Sequence, residues 1–321
     1  MEERLNFLDN IKAISIFGII IYHCLYKYDT GTTWSNFYMG VPLFFAVNGY
    51  LMLRKERELK TIMRKNIKIV LLVLVWGVIC TSACMVYKND SFSIINLGQH
   101  IIKLDLYYCN YLWFLCILIG LNCINPFISK YVNNGGNILY LTIIVCLTSF
   151  MGPLISHFNV IGRCCWLFYY IGGYCLVSSL IDVKRCESPN KIVCGGGKNR
   201  NITLLIFILG LSLYHVYANY APSIIIKAFK TAPSNILYAV AVMSLLSLLC
   251  QSNFKNQYIS FVGRNTLGIY LLQGPIYKGL EAYVPQIMNL GFAYPVIVLL
   301  LCCILCKMMR HWMPTKYLIS I

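Results

Sequence analysis

The amino-acid sequence predicts an all-α, polytopic membrane protein, a transmembrane helical bundle of about ten spans, and three observations carry that expectation. Of 321 residues, 59% are hydrophobic and 12% charged, and the mean hydropathy is +0.67, too apolar for a water-soluble chain of this length. The apolar residues gather in long runs. A hydrocarbon core of about 30 Å takes about 20 residues of helix, and irregular backbone facing lipid would leave its polar groups unpaired. The cations are also unevenly spread. With a cytoplasmic N-terminus, one side of the membrane holds 20 of the 27 Lys and Arg residues, and the other holds only Lys27, Lys88, Lys103, Arg163, Lys227, Lys230 and Lys278. Cytoplasmic loops are the basic ones, so both termini are predicted to be cytoplasmic.

The candidate spans are 11–28, 38–53, 69–87, 111–128, 137–155, 164–182, 201–218, 235–250, 261–280 and 291–309, within a single membrane-embedded domain over 1–321. The formal charge of +16 belongs with loops facing anionic headgroups; membrane lipids, not nucleic acid, are the expected partners. Most of the 16 cysteines fall inside apolar runs as small core residues. Cys303 and Cys306 form a lone Cys-x-x-Cys without accompanying His or acidic ligands, so no metal is expected. Met1-Glu2-Glu3-Arg4 is not a basic leader, and the first helix is expected to be retained.

The first span carries Lys12 and His23, eleven positions apart. On a helix that is about three turns, so the two side chains lie within about 20° of one face and about 16 Å apart along the axis. An ionisable residue inside a span invites a functional reading, and a helix-helix hydrogen bond is the alternative. In the second span Pro42 and Gly49 interrupt a helical run and Asn48 lies beside them. Two roles stay open for Asn48: satisfying backbone groups around a cavity, or bonding between helices.

Arg54 to Lys68 carries seven cations in fifteen residues, with Glu56 and Lys60 at i, i+4 spacing, which predicts a cytoplasmic amphipathic helix. Lys65 and Lys68 share a face where this segment enters the third span, positioned to meet a phosphate-bearing ligand. Residues 90–110 read as an amphipathic helix on the outer face. Tyr107 to Phe114 forms an aromatic belt opening the fourth span. Trp113 can serve that belt or stack on a sugar. Residues 183–200, with three consecutive glycines beside Lys198, read as a flexible cytoplasmic linker between spans six and seven. His215 lies in span seven, and His157 and Arg163 flank the outer turn before span six. Arg264 sits at the cytoplasmic mouth of span nine, with Gln273 nine residues deeper.

Four separated blocks resemble the acyltransferase 3 family: Leu8-Asp9 through Lys12 to His23, Val41 to Leu51, Leu112 to Leu115, and Gly268 to Leu272. The resemblance implies an integral-membrane O-acyltransferase of surface polysaccharides, of the compact O-acetyltransferase type without an appended domain, in the cell (inner, cytoplasmic) membrane. It makes His23 the catalytic base or acyl carrier. Lys12, Lys65, Lys68 and Arg264 become the cations that meet the phosphates of acetyl-CoA, the acyl donor, and Asn48, Trp113 and Tyr270 become substrate contacts. The acceptor would be a surface polysaccharide or its lipid-linked precursor. The sequence departs from the family at Lys12, Lys65 and Lys68, where arginine is usual, and lysine keeps the charge without the bidentate fork. Asn48 replaces a usual serine, and Gln273 replaces a frequent histidine, which removes a titratable group. Two other readings survive: a transporter or flippase for a lipid-linked sugar, and a non-catalytic membrane scaffold.

Overall fold

The computed structural model describes residues 6–25, 39–54, 57–87, 95, 112–133, 137, 140–141, 165–187, 205–206, 208–210, 232–252 and 255–311. Among these every regular element is helical. In chain order they are α1 (Asn6–Leu25), α2 (Gly40–Leu53), α3 (Leu59–Tyr87), α4 (Trp113–Asn133), α5 (Cys165–Glu187), α6 (Ala232–Gln251), α7 (Gln257–Arg264), α8 (Thr266–Tyr283), a 3-10 turn (Pro285–Leu290) and α9 (Ala293–His311). Three stretches, Asn6–Leu25, Trp113–Tyr131 and Ala293–His311, are long and apolar enough to cross a membrane. Helix also occupies the predicted spans in α2, α3, α5, α6 and α8. Spans 137–155 and 201–218, the 90–110 helix, His157, Arg163 and His215 lie wholly or mostly outside the described residues.

Three local expectations are corrected. The basic segment after residue 54 and the third span are one continuous helix, α3, with 29 residues and a length of about 43 Å. Its buried face runs through Ile62, Asn66, Ile69, Val73, Trp76 and Cys80. A second, exposed face is equally apolar, from Leu59 and Met63 through Ile67, Leu71, Leu74 and Val78. Beyond Lys68 the helix carries apolar residues on both its buried and its exposed face. The ninth span is broken: α7 ends at Arg264, Asn265 has φ −103° and ψ 13°, and α8 begins at Thr266. The linker predicted from 183 begins later, because α5 continues to Glu187; residues 188–200 are outside the described set.

The helices group into two compact units, Met1–Glu56 with Ile128–Arg264, and Arg57–Phe127 with Asn265–Ile321. In the first, α2 makes its broadest contact with α5, and α1 packs on both α2 and α7. These crossings are set by glycine. A Cβ on Gly49 would overlap the backbone carbonyl of Tyr170, and a Cβ on Gly173 would overlap the backbone of Ala46. Ala46 and Gly49 are three apart on α2, as Tyr170 and Gly173 are on α5, so the two backbones touch over about one turn of each helix. Such close approach through small residues is how helices associate where no hydrophobic force distinguishes protein from lipid. Pro42 does not break α2. It lies in the first turn, where a missing N–H leaves no helical hydrogen bond unmade.

In the second unit α8 packs on α9 and on the 3-10 turn. The hydroxyl of Tyr294, fully buried, donates to the carbonyl of Tyr277 at 3.0 Å, pinning α9 to α8. Gly291 takes φ +54° at the turn into α9, a conformation open to glycine at little cost.

Candidate functional site

Lys12, His23, Asn48 and Arg264 belong to the first unit, and Lys65, Lys68, Trp113 and Tyr270 to the second. One unbroken helix, α1, carries both Lys12 and His23, so their shared face follows from helix geometry. Both side chains are half-buried. His23 lies in the last turn of α1, and its ring meets that of Tyr22 edge-on, with centroids 5.5 Å apart and an interplanar angle of 70°. The imidazole is thus held at a helix end without being sealed in the core, as a group that exchanges a proton with a reactant must be.

At the other end of α1, Asp9 is buried in the first turn, where the helix dipole favours a carboxylate. Helix α7 crosses α1 at this point. Gly263 lies against the Asp9 backbone so tightly that a Cβ would overlap the Asp9 carbonyl. The crossing brings the next residue, Arg264, to the Lys12 end of α1. Arg264 is exposed, and its Nε donates to the Ser260 carbonyl at 3.1 Å, which steadies the guanidinium on its own helix. Two of the predicted donor-binding cations are therefore gathered at one helix end. Asn48 Nδ2 donates to the Phe44 carbonyl of the same helix at 3.0 Å, a bond to a backbone group beside the Gly49 crossing.

In the second unit Lys65 is half-buried and Lys68 exposed on α3. Asn66 lies beside Lys65 and is buried. Its Oδ1 accepts from Asn122 Nδ2 at 2.9 Å, and its Nδ2 donates to Cys123 Sγ at 3.3 Å. This amide pair joins α3 to α4 and fixes the helix that bears the two lysines. Trp113, half-buried at the start of α4, meets Phe114 edge-on at 6.5 Å and 86°, and Phe114 in turn meets Tyr270 of α8 at 5.5 Å and 61°. Trp113 and Tyr270 are thus linked through a ring that the sequence reading left in the aromatic belt. Only the partner helix reveals that Phe114 points inward; the sequence carries no separate signal for it. Gln273, one turn beyond Tyr270, is 0% exposed, and neither its Oε1 nor its Nε2 has a hydrogen-bond partner among the described residues.

An apolar helical protein that presents a half-buried imidazole, a cation-bearing end on the same helix and a chain of rings beside a buried amide has the parts of a membrane-embedded group-transfer protein. The comparisons place it more narrowly. Residues 5–308 match the family model described as an acyltransferase domain, and the chain belongs to the acyltransferase 3 family. It is 32% identical over 118 residues to proteins provisionally named O-acetyltransferases from Staphylococcus aureus strains COL, MSSA476 and N315. Each of these alignments covers 34% of this chain and 18% of the relative, so less than a fifth of each relative's length is matched. No solved structure matches the chain.

Proposed function

We propose that this chain is a multi-pass O-acyltransferase of the cell membrane that moves an acetyl group from cytoplasmic acetyl-CoA to a hydroxyl of a surface polysaccharide or its lipid-linked precursor. Ten spans with both termini cytoplasmic complete the reading. The observation that carries it is the single helix α1, which presents a half-buried His23 at one end and Lys12 on the same face near the other. A donor whose phosphates rest at Lys12 and Arg264 has to extend about 16 Å along α1 to bring a thioester level with the imidazole, a span suited to a long, flexible carrier arm.

In the transfer, His23 takes the proton of the sugar hydroxyl as its oxygen attacks the thioester carbonyl. The new C–O bond forms, the C–S bond breaks, and the thiolate leaves with the proton returned by the imidazolium. Products are the O-acetyl sugar and free coenzyme A. A variant route carries the acetyl group on His23 first, with the same overall balance.

The test uses the full chain in proteoliposomes with radiolabelled acetyl-CoA. The acceptor is surface glycan from the source cells, stripped of its esters by mild alkali. Alkali-labile label on the glycan is the expected result. Movement of glycan across the bilayer with no ester formed would replace this reading with the flippase. In the same assay Lys12→Ala is expected to raise the KM for acetyl-CoA roughly tenfold, the worth of one charge-assisted phosphate contact, with little change in acceptor KM. An unchanged donor KM removes Lys12 from the donor site.

A further inference from the structure

The amide of Gln273 is the clearest unspent polar group in the described structure. It is 0% exposed, and neither of its hydrogen-bonding atoms has a partner among the described residues. Burying such a group without partners is costly, because water that satisfied both atoms has been removed and nothing replaces it. The position is not forced by a lack of apolar options: Ile269, Leu271 and Leu272 precede it in sequence and are themselves buried. A leucine would fill the space without that cost. The amide therefore makes sense when something else is bound.

The partner's chemistry follows from the amide and its surroundings. Oε1 accepts and Nε2 donates, so a group that both donates and accepts satisfies both atoms at once. A hydroxyl does this, and so does a secondary amide. A carbonyl or a phosphate can only accept, and would leave Oε1 unmet. The neighbouring side chains choose between the two. Tyr270 lies three residues earlier on α8, hence on the same helix face, and it continues through Phe114 to the half-buried Trp113 in a run of edge-on rings. Phe114 and Tyr270 are buried like the amide, and the half-buried Trp113 is where the run meets the outside. Rings beside such an amide make an interior lining that suits a sugar, whose C–H faces lie on aromatic carbon while its hydroxyls take the polar atoms.

We infer that Gln273 contacts a hydroxyl of the acceptor sugar, with Trp113, Phe114 and Tyr270 forming the aromatic side of the same subsite. This rests on the O-acyltransferase reading above and assigns the acceptor half of it to α4 and α8. The role is recognition. The amide does not titrate, and proton transfer stays with His23.

Gln273→Leu and Gln273→Met keep the volume and remove both hydrogen bonds. In the proteoliposome assay with alkali-stripped glycan and labelled acetyl-CoA, both variants are expected to raise the acceptor KM roughly 10- to 100-fold, the loss of two ordinary hydrogen bonds, with the acetyl-CoA KM unchanged. The unliganded variants should also melt at the same temperature as wild type or higher, because an amide lacking partners has been exchanged for apolar atoms. A rise confined to the acetyl-CoA KM would assign the amide to the carrier arm and overturn the sugar contact. An unchanged acceptor KM, or lower melting temperatures in both variants, would make Gln273 a structural residue. Failure of the wild-type protein to label the glycan removes the O-acyltransferase reading, and this assignment falls with it.

Discussion

His23→Ala is expected to lower acyl transfer to the glycan by about 10²- to 10⁴-fold, the range for loss of a positioned general base. The fall should appear in kcat with little change in the KM of either substrate, because the imidazole acts on the proton in flight and makes no extended contact with donor or acceptor. The melting temperature should stay near that of wild type. His23 is half-buried in the last turn of α1, so truncation leaves a small, accessible gap and no sealed cavity. A variant with wild-type turnover would sink the mechanism. A variant that loses activity only in proportion to its amount of folded protein would make His23 a packing residue.

The largest effect on folding is expected at the α2–α5 crossing. Gly49→Ala adds one methyl where the Tyr170 carbonyl already stands. Backbone cannot yield as a flexible side chain can, so the two helices must separate, at a cost of about 1–3 kcal/mol or more. Thermal unfolding in detergent and the level of protein in membranes should both fall. Gly120→Ala on α4 is the control: no described atom lies within 4 Å of its added Cβ, and better helix propensity should leave stability equal or higher by up to about 1 kcal/mol. Equal melting temperatures for the Gly49 and Gly120 variants would mean that the crossing tolerates separation.

Much of the helical framework was legible because it is written locally. Apolar runs locate helix in whichever predicted spans the described residues cover, and the 3.6-residue period places Lys12 and His23 on one face before any tertiary contact is known. What the sequence conceals depends on which helix meets which. Gly49 reads as a breaker in isolation and becomes a contact glycine only when the Tyr170 backbone is seen against it, with Gly173 three residues on against Ala46. Pro42 reads as a kink until the start of α2 is known to lie two residues before it. The interruption at Asn265 has no proline to announce it, and Gly263 two residues earlier is explained only by its contact with Asp9, so the ninth span reads as continuous. Asn66 and Asn122 look like scattered polar residues 56 positions apart. Phe114 and Gln273 escaped assignment for the same reason: inward direction and an unmet amide are properties of the neighbours.

The long helix α3 has one more consequence. Its exposed apolar face begins at Leu59 and Met63, interleaved with Lys60, Arg64, Lys65 and Lys68 on the same first turns. With α3 in a bilayer, as proposed, the lysine and arginine stems would lie along the edge of the acyl chains while their charged ends reach outward. Those turns act as a depth gauge. The immersion of α3 and the height at which Lys65 and Lys68 can meet a ligand are one quantity, and a shift in the first displaces the second by the same distance.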